Sequence, residues 1–167
     1  VSVLARQTAH MVLHPAVKAN IERLAQPECF TITTGHQLCL FTGPLYVPYK
    51  ILNVIRLARQ AEVALGKPVV PVFWMATEDH DLAEVDHAII NGQTVRWAGS
   101  DRGAVGRIEL TGMAQVVEEA VAALGPGAHA GWVAERLRAA YTDGRTLADA
   151  KRQFVHDLFG YYGLVII

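Results

Sequence analysis

Two short segments of this 167-residue chain contain the residue types that can do chemistry. The first is Gly-His-Gln at positions 35–37, and the second is Glu-Asp-His-Asp at positions 78–81. Each directly follows an apolar, β-branched stretch that is typical of a buried strand. Because the loops at the carboxyl ends of parallel strands converge on one crevice in α/β proteins, we expect the two segments to face each other across one active site.

The first segment offers hydrogen-bond donors. Gly35 allows the backbone to approach a phosphate or a carboxylate closely. His36 could donate to a developing negative charge or act as a general acid or base near neutral pH, and Gln37 adds an amide donor. The alternative is that His36 only closes a loop and Gly35 only makes a turn. The spacing is neither that of a dinucleotide fingerprint nor that of a phosphate-binding loop.

The start of a predicted long helix lies a few residues further on. Free amide groups at the helix start near Gly43 and the helix dipole suit an anion. Tyr46 and Lys50 share one face of this helix, and Lys50 could hold a phosphate or carboxylate. The alternative is that Lys50 is a solvated lysine whose stem covers apolar surface. We expect Trp74, near the end of the next strand, to belong to the core unless it lines the pocket.

The second segment places three carboxylates and an imidazole within four residues. Such groups repel one another unless a cation lies nearby, and that cation could be Mg²⁺, a substrate ammonium or a histidine. Glu78, Asp79, His80 and Asp81 could therefore act as metal ligands, as amine-binding carboxylates or as a general base. The alternative is a helix N-terminus enriched in acids. The spacing matches no known zinc motif, and we predict no metal site.

The surrounding sequence predicts the elements that position these segments. A strand over residues 28–34, a loop over 35–43, a helix over 45–65 closed by Gly66 and a strand over 69–75 form a βαβ unit. Asn91-Gly92 predicts a hairpin turn between residues 88 and 97. The remaining predictions are helices over 15–25, 113–124, 132–141 and 146–159, a loop over 100–106, and strands over 107–110 and 164–167.

Composition narrows the fold class and the function. The chain is 51% hydrophobic and 19% charged with a net charge of −1, so we expect neither nucleic acid nor a membrane as a partner. Two cysteines and the lack of a signal peptide favour a cytoplasmic location. We predict a three-layer α/β fold with a mainly parallel sheet, a small β-hairpin and extra helices. The apolar run at the end of the chain indicates a fragment of a longer protein.

Two blocks of the sequence resemble a known family. TTGHQLCLFTGPLYVPYKI and PVVPVFWMATEDHDLAEVDH are similar to signature blocks of the cysteine ligases of bacillithiol biosynthesis, the BshC family. The resemblance runs from Thr33 to about His87, and residues 147–167 fit a later helix and strand of that family. It implies a Rossmann-like core over residues 1–167, followed in the complete enzyme by a helical coiled-coil part.

The resemblance also implies an activity. The family is thought to join cysteine to the amine of glucosaminyl malate in the cytoplasm. A nucleotide such as ATP or ADP, Mg²⁺ and a homo-oligomeric state are compatible with it, and no cofactor is assigned. The matched positions with implied roles are Thr34, Gly35, His36, Gln37, Gly43, Pro44, Tyr46, Lys50, Glu78, Asp79, His80 and Asp81. His36 stands where many relatives carry a second glutamine, which favours hydrogen bonding over obligatory proton transfer.

Two other functions stay open at this point. One is a non-catalytic Rossmann-like module that binds a small molecule, and the other is a Mg²⁺-dependent phosphohydrolase built on the acidic segment. We expect the 167 residues alone to fold but to catalyse poorly, because the downstream part implied by the resemblance is absent from them.

Overall fold

The computed structural model describes residues 2–99 and 103–167. The predicted loop over residues 100–106 therefore begins outside the described residues. None of the helices in the described ranges is long and apolar enough to cross a membrane. The strands are β1 (Phe30–His36), β2 (Val69–Met75), β3 (His87–Ile90), β4 (Gln93–Arg96) and β5 (Val165–Ile166). The helices are α1 (Ser2–Gln7), α2 (Pro15–Arg23), α3 (Tyr46–Leu65), α4 (Leu82–Val85), α5 (Met113–Leu124), α6 (Ala130–Ala140) and α7 (Leu147–Phe159).

The chain divides into two compact units. The first comprises Val1–His36, Tyr46–Met75 and Val155–Ile167, and the second comprises Gln37–Leu45 and Ala76–Phe154.

The first unit is built on a parallel sheet in the order β1-β2-β5. One face of the central strand presents Val70 and Val72, which form a buried cluster with Leu4 of α1 and Val165 of β5. Helix α3 packs on β1 and β2 and buries an apolar stripe along its length. Since successive side chains of a strand point to opposite faces, helices cover the sheet on both sides. The predicted three-layer α/β arrangement is confirmed.

Strand β1 has the predicted length but begins and ends two residues later than the predicted 28–34. Gly35 and His36 are its last residues, where a loop was predicted from Gly35 onwards. They stay in the strand because they lie opposite Trp74 and Met75 in the parallel ladder, which continues their backbone pairing. Strand β2 has the predicted bounds, and α3 begins one residue late with Pro48 in its first turn.

The second unit contains the predicted hairpin, helices α4, α5 and α6, and α7 as far as Phe154. Strands β3 and β4 pair antiparallel around Asn91 and Gly92, which have positive φ values of 48° and 79°. These values are those of the tight hairpin turn expected from Asn-Gly. The predicted strand over residues 107–110 is wrong, because Val105–Arg107 forms a 3₁₀ turn and only an isolated bridge joins Glu109 to Thr146. Helix α5 has the predicted bounds, and α6 begins two residues early.

Thr146 caps helix α7. Its hydroxyl accepts a hydrogen bond from the Asp149 amide at 3.1 Å and lies 2.8 Å from the Asp149 carboxylate, to which it donates. We expect Thr146→Ala to lower the free energy of unfolding by about 1 kcal/mol, because the amide at the helix start then loses its partner. Urea unfolding of the 167-residue chain measures this difference. Thr146→Ser keeps the hydroxyl and is the matched control, so equal losses in the two variants would contradict the capping role.

Candidate functional site

A first group of predicted site residues comes together in the first unit, at the carboxyl end of β1. The Tyr46 hydroxyl lies 3.3 Å from each ring nitrogen of His36, and the two rings meet edge to face with centroids 5.1 Å apart. The Lys50 ammonium donates to the Gly35 carbonyl at 2.6 Å and lies 5.6 Å from the centre of the Tyr46 ring. The expected sharing of one helix face by Tyr46 and Lys50 is therefore observed.

Trp74 lies beside this group and is 45% exposed, whereas its neighbour Phe73 is fully buried. The expectation that Trp74 belongs to the core is wrong: it shares one face of β2 with Val70 and Val72, but it lies at the carboxyl end of the strand and outside their buried cluster. A Cβ atom at Gly35 would lie 2.6 Å from the Trp74 ring, so glycine is needed for this close approach. Thr34, opposite Phe73 in the ladder, is half-buried.

Gly43 serves a turn in the second unit. Its amide donates to the Leu40 carbonyl at 2.8 Å. This amide is therefore not available to an anion, contrary to the prediction for the helix start near Gly43. Its φ is +58°, and a Cβ atom there would lie 2.3 Å from the Cβ of Cys39. Glycine is therefore required at this position by backbone conformation and by space.

A second group, in the second unit, joins Gln37 to the acidic segment. The Gln37 side-chain amide donates to the Asp79 carboxylate at 2.9 Å and also to the carboxylate of Glu84 in α4. Gln37 was predicted to face the acidic segment, and its amide contacts Asp79 of that segment. Glu84 was not predicted, and its only signal in the sequence was its position three residues after Asp81, the spacing of a helix cap.

Asp79 is held as a carboxylate. The hydrogen bond from Gln37 is the main cause that lowers its pKa below the usual value, and the backbone amides of His80 and Asp81 add to this. A carboxylate with a lowered pKa is a weak proton acceptor but a good partner for a cation. Asp79 is therefore suited to hold an ammonium group.

Part of the acidic segment has a structural role. The Asp81 carboxylate accepts from the Glu84 amide at 3.2 Å and caps α4, a helix of four residues. The alternative explanation of the cluster as a helix cap thus holds for Asp81. Glu78 and His80 are exposed. The segment lines an open cavity of about 620 Å³, whose wall is formed by Asp79, His80, Asp81, Leu82, Ala83 and Asp86.

Backbone hydrogen bonds hold the acidic segment in place within the second unit. The Val105 amide donates to the Asp79 carbonyl at 2.7 Å, and the Gly106 amide donates to the Thr77 carbonyl at 3.0 Å. A Cβ atom at Gly106 would lie only 2.6 Å from the Thr77 side chain. The close approach of these two backbones depends on glycine and restrains the loop that carries Asp79.

The described residues include no group of three or more His, Cys, Asp or Glu side chains placed to hold one metal ion. In the acidic segment, Asp79 accepts from the His80 amide of the same loop, and Asp81 accepts from the Glu84 amide of α4. The predicted crevice that would bring His36 and Lys50 to the acidic segment stays a prediction.

Comparison with known proteins relates the sequence of this chain to one family. Residues 1–167 match the family described as "Bacillithiol biosynthesis BshC, N-terminal Rossmann-like domain". Proteins of Cytophaga hutchinsonii and Flavobacterium johnsoniae, both named "Putative cysteine ligase BshC", are 43% identical over 152 residues and 40% identical over 168 residues. The matches cover 90% and 100% of this chain but 27% and 32% of the two relatives. The chain thus spans about a third or less of their length.

Proposed function

The chain belongs to the BshC family, as its N-terminal Rossmann-like domain, and we propose that it forms part of a cytoplasmic cysteine ligase of bacillithiol biosynthesis. The proposed reaction joins the carboxyl carbon of cysteine to the amine of glucosaminyl malate. The observation that carries the proposal is the family match over all 167 residues, with curated relatives that bear the ligase name. In this proposal the chain is the N-terminal part of a longer enzyme.

Amide formation makes two demands, and each group of residues, taken by itself, is suited to one of them. An amine must be held near carboxylates and must lose a proton, and an acyl group must be held near hydrogen-bond donors. In the second unit, Gln37 orients Asp79, Asp79 holds the ammonium, and His80 takes the proton. Glu78 and Glu84 add negative charge that favours the ammonium.

The first unit supplies donors for the acyl group. The imidazole of His36 and the hydroxyl of Tyr46 form a pair that can donate to a carboxylate or to a developing oxyanion. One N–H of the Lys50 ammonium donates to the Gly35 carbonyl, and the same ammonium has two further N–H donors. The exposed Trp74 ring offers an apolar wall beside them.

The test is direct synthesis by the complete enzyme. Cysteine and glucosaminyl malate are incubated with the full-length protein, with and without ATP and Mg²⁺, and the amide product is measured by mass spectrometry. One oxygen of the cysteine carboxylate must leave, so we expect the rate to depend on a co-substrate that accepts it. We expect little or no product from the 167-residue chain alone.

Three results would contradict the proposal. Binding of the substrates without any product would favour a non-catalytic module, and Mg²⁺-dependent hydrolysis of a generic phosphate ester would favour a phosphohydrolase. If the 167 residues reached the rate of the full-length protein, the proposed dependence on a downstream part would be wrong.

A further inference from the structure

Lys151 of α7 lies completely inside the second unit. Its side chain has no exposed surface, and its ammonium donates to the backbone carbonyl of Cys39 at 2.8 Å. Lysine is rarely buried without a charged partner, because removing an ammonium from water costs free energy. In the described part of the chain, the titratable group that acts on Lys151 is the thiol of Cys39, not a carboxylate. A lysine kept at this cost indicates a specific role.

The carbonyl that Lys151 holds belongs to a segment with unusual backbone conformation, Gln37–Leu45. Phe41 and Thr42 have φ values of 52° and 71°, in a region that residues with a Cβ atom rarely adopt. Gly43 follows with a φ of 58°. Three consecutive residues of positive φ persist only where surrounding contacts impose them.

Two kinds of contact hold this segment from inside the second unit. Apolar packing is the first: Phe41 meets Tyr141 edge to face with centroids 4.8 Å apart, and Leu38 and Leu40 are fully buried. The second is the hydrogen bond from Lys151, which depends on direction as well as distance, whereas apolar packing does not depend on direction. The hydrogen bond therefore restrains the position of the Cys39 carbonyl.

Cys39 is two residues after Gln37, whose amide donates to Asp79 and Glu84. We infer that Lys151 is a positioning residue, which holds the Cys39 peptide so that Gln37 reaches Asp79 and orients it for the amine. This inference rests on the proposed function for its catalytic consequence. The contact between Gln37 and Asp79 can be tested without that function.

The catalytic test uses Lys151→Met, Gln37→Ala and the double variant in the full-length enzyme. A loop misplaced by a fraction of an ångström lowers turnover, and we expect Lys151→Met to reduce kcat about tenfold or more. If Lys151 acts through Gln37, the double variant loses no more than Gln37→Ala alone, because the contact is already absent. Losses that multiply would overturn the inference. Lys18→Met removes an exposed lysine of α2 and is the control, with unchanged kcat expected.

A spectroscopic test does not depend on activity. In ¹⁵N-labelled 167-residue chain, we expect Lys151→Met to move the side-chain amide resonances of Gln37 towards those of a solvated glutamine, and Lys18→Met to leave them unchanged. Lys151→Gln keeps an N–H donor and should move the Gln37 resonances less than Lys151→Met does. If the methionine variant does not fold, Lys151→Gln is compared with the wild type, and a shift in the same direction is expected. Unchanged Gln37 resonances in a folded variant would overturn the inference. An inactive wild-type enzyme would overturn only the proposed function.

Discussion

Replacing Asp79 or His80 with alanine in the full-length enzyme is expected to lower the turnover number about a hundredfold or more, the usual scale for a lost acid–base or charge-orienting group. Asp79 is held ionised by the hydrogen bond from Gln37, which lowers its pKa, so it is suited to hold an ammonium. His80 follows it in the exposed part of the loop and is assigned the proton. Steady-state kinetics with both substrates measure the two losses.

The fold should survive both replacements, because neither residue caps a helix or belongs to the core. Asp81 is different: it caps α4, and Asp81→Ala should lower stability as well as activity. Glu119→Ala, on the exposed face of α5, is the matched control for loss of a carboxylate and should leave turnover unchanged. If both alanine variants at Asp79 and His80 kept near-normal turnover, the acidic segment would be only a helix cap and the mechanism would have to be abandoned.

Lys151 should make the stability of the chain rise with pH in the alkaline range. Burial lowers the pKa of Lys151 from 10.5 to about 8 in the folded chain. Between these values the unfolded chain binds one more proton than the folded chain, so the free energy of unfolding increases with pH. Burial of the charged Lys151 side chain lowers the free energy of unfolding. This loss of stability is fully present below about pH 8 and disappears as the pH rises to about 10.5. A shift of this size corresponds to about 3 kcal/mol.

The measurement compares urea unfolding of wild type and Lys151→Met at several pH values between 7 and 10.5. We expect the difference in free energy of unfolding, wild type minus variant, to increase by about 3 kcal/mol across this range. Burial raises the pKa values of Cys39 and Tyr141. The contribution of Tyr141 is common to the two proteins and cancels in the difference, whereas that of Cys39 does not cancel, because Lys151 lowers the pKa of its thiol in the wild type alone. Lys18→Met controls for the loss of an ordinary lysine. A difference that does not change with pH would show that Lys151 titrates in the folded chain as it does in water.

Much of the fold followed from local pattern. The apolar run of β2, the glycine after α3 and the Asn-Gly pair of the hairpin each act through nearest neighbours along the chain, and each predicted element was found. The bounds of β1 could not be predicted from local pattern, because pairing with β2 keeps Gly35 and His36 in the strand. The short strand over residues 107–110 was wrong because a 3₁₀ turn occupies its start.

The sequence by itself determined which residues of this protein can do chemistry and that they follow strand ends, because residue type and hydrophobic periodicity are local properties. Only the tertiary structure decided which of them meet. Gln37 reaches Asp79 across 42 residues, and Lys151 reaches Cys39 across 112. Lys151 sits in a predicted helix where lysine is ordinarily solvated, and its burial depends on packing by segments far away in the chain. Hydrogen-bond partners, burial and lowered pKa values arise from such distant contacts, which no local pattern encodes.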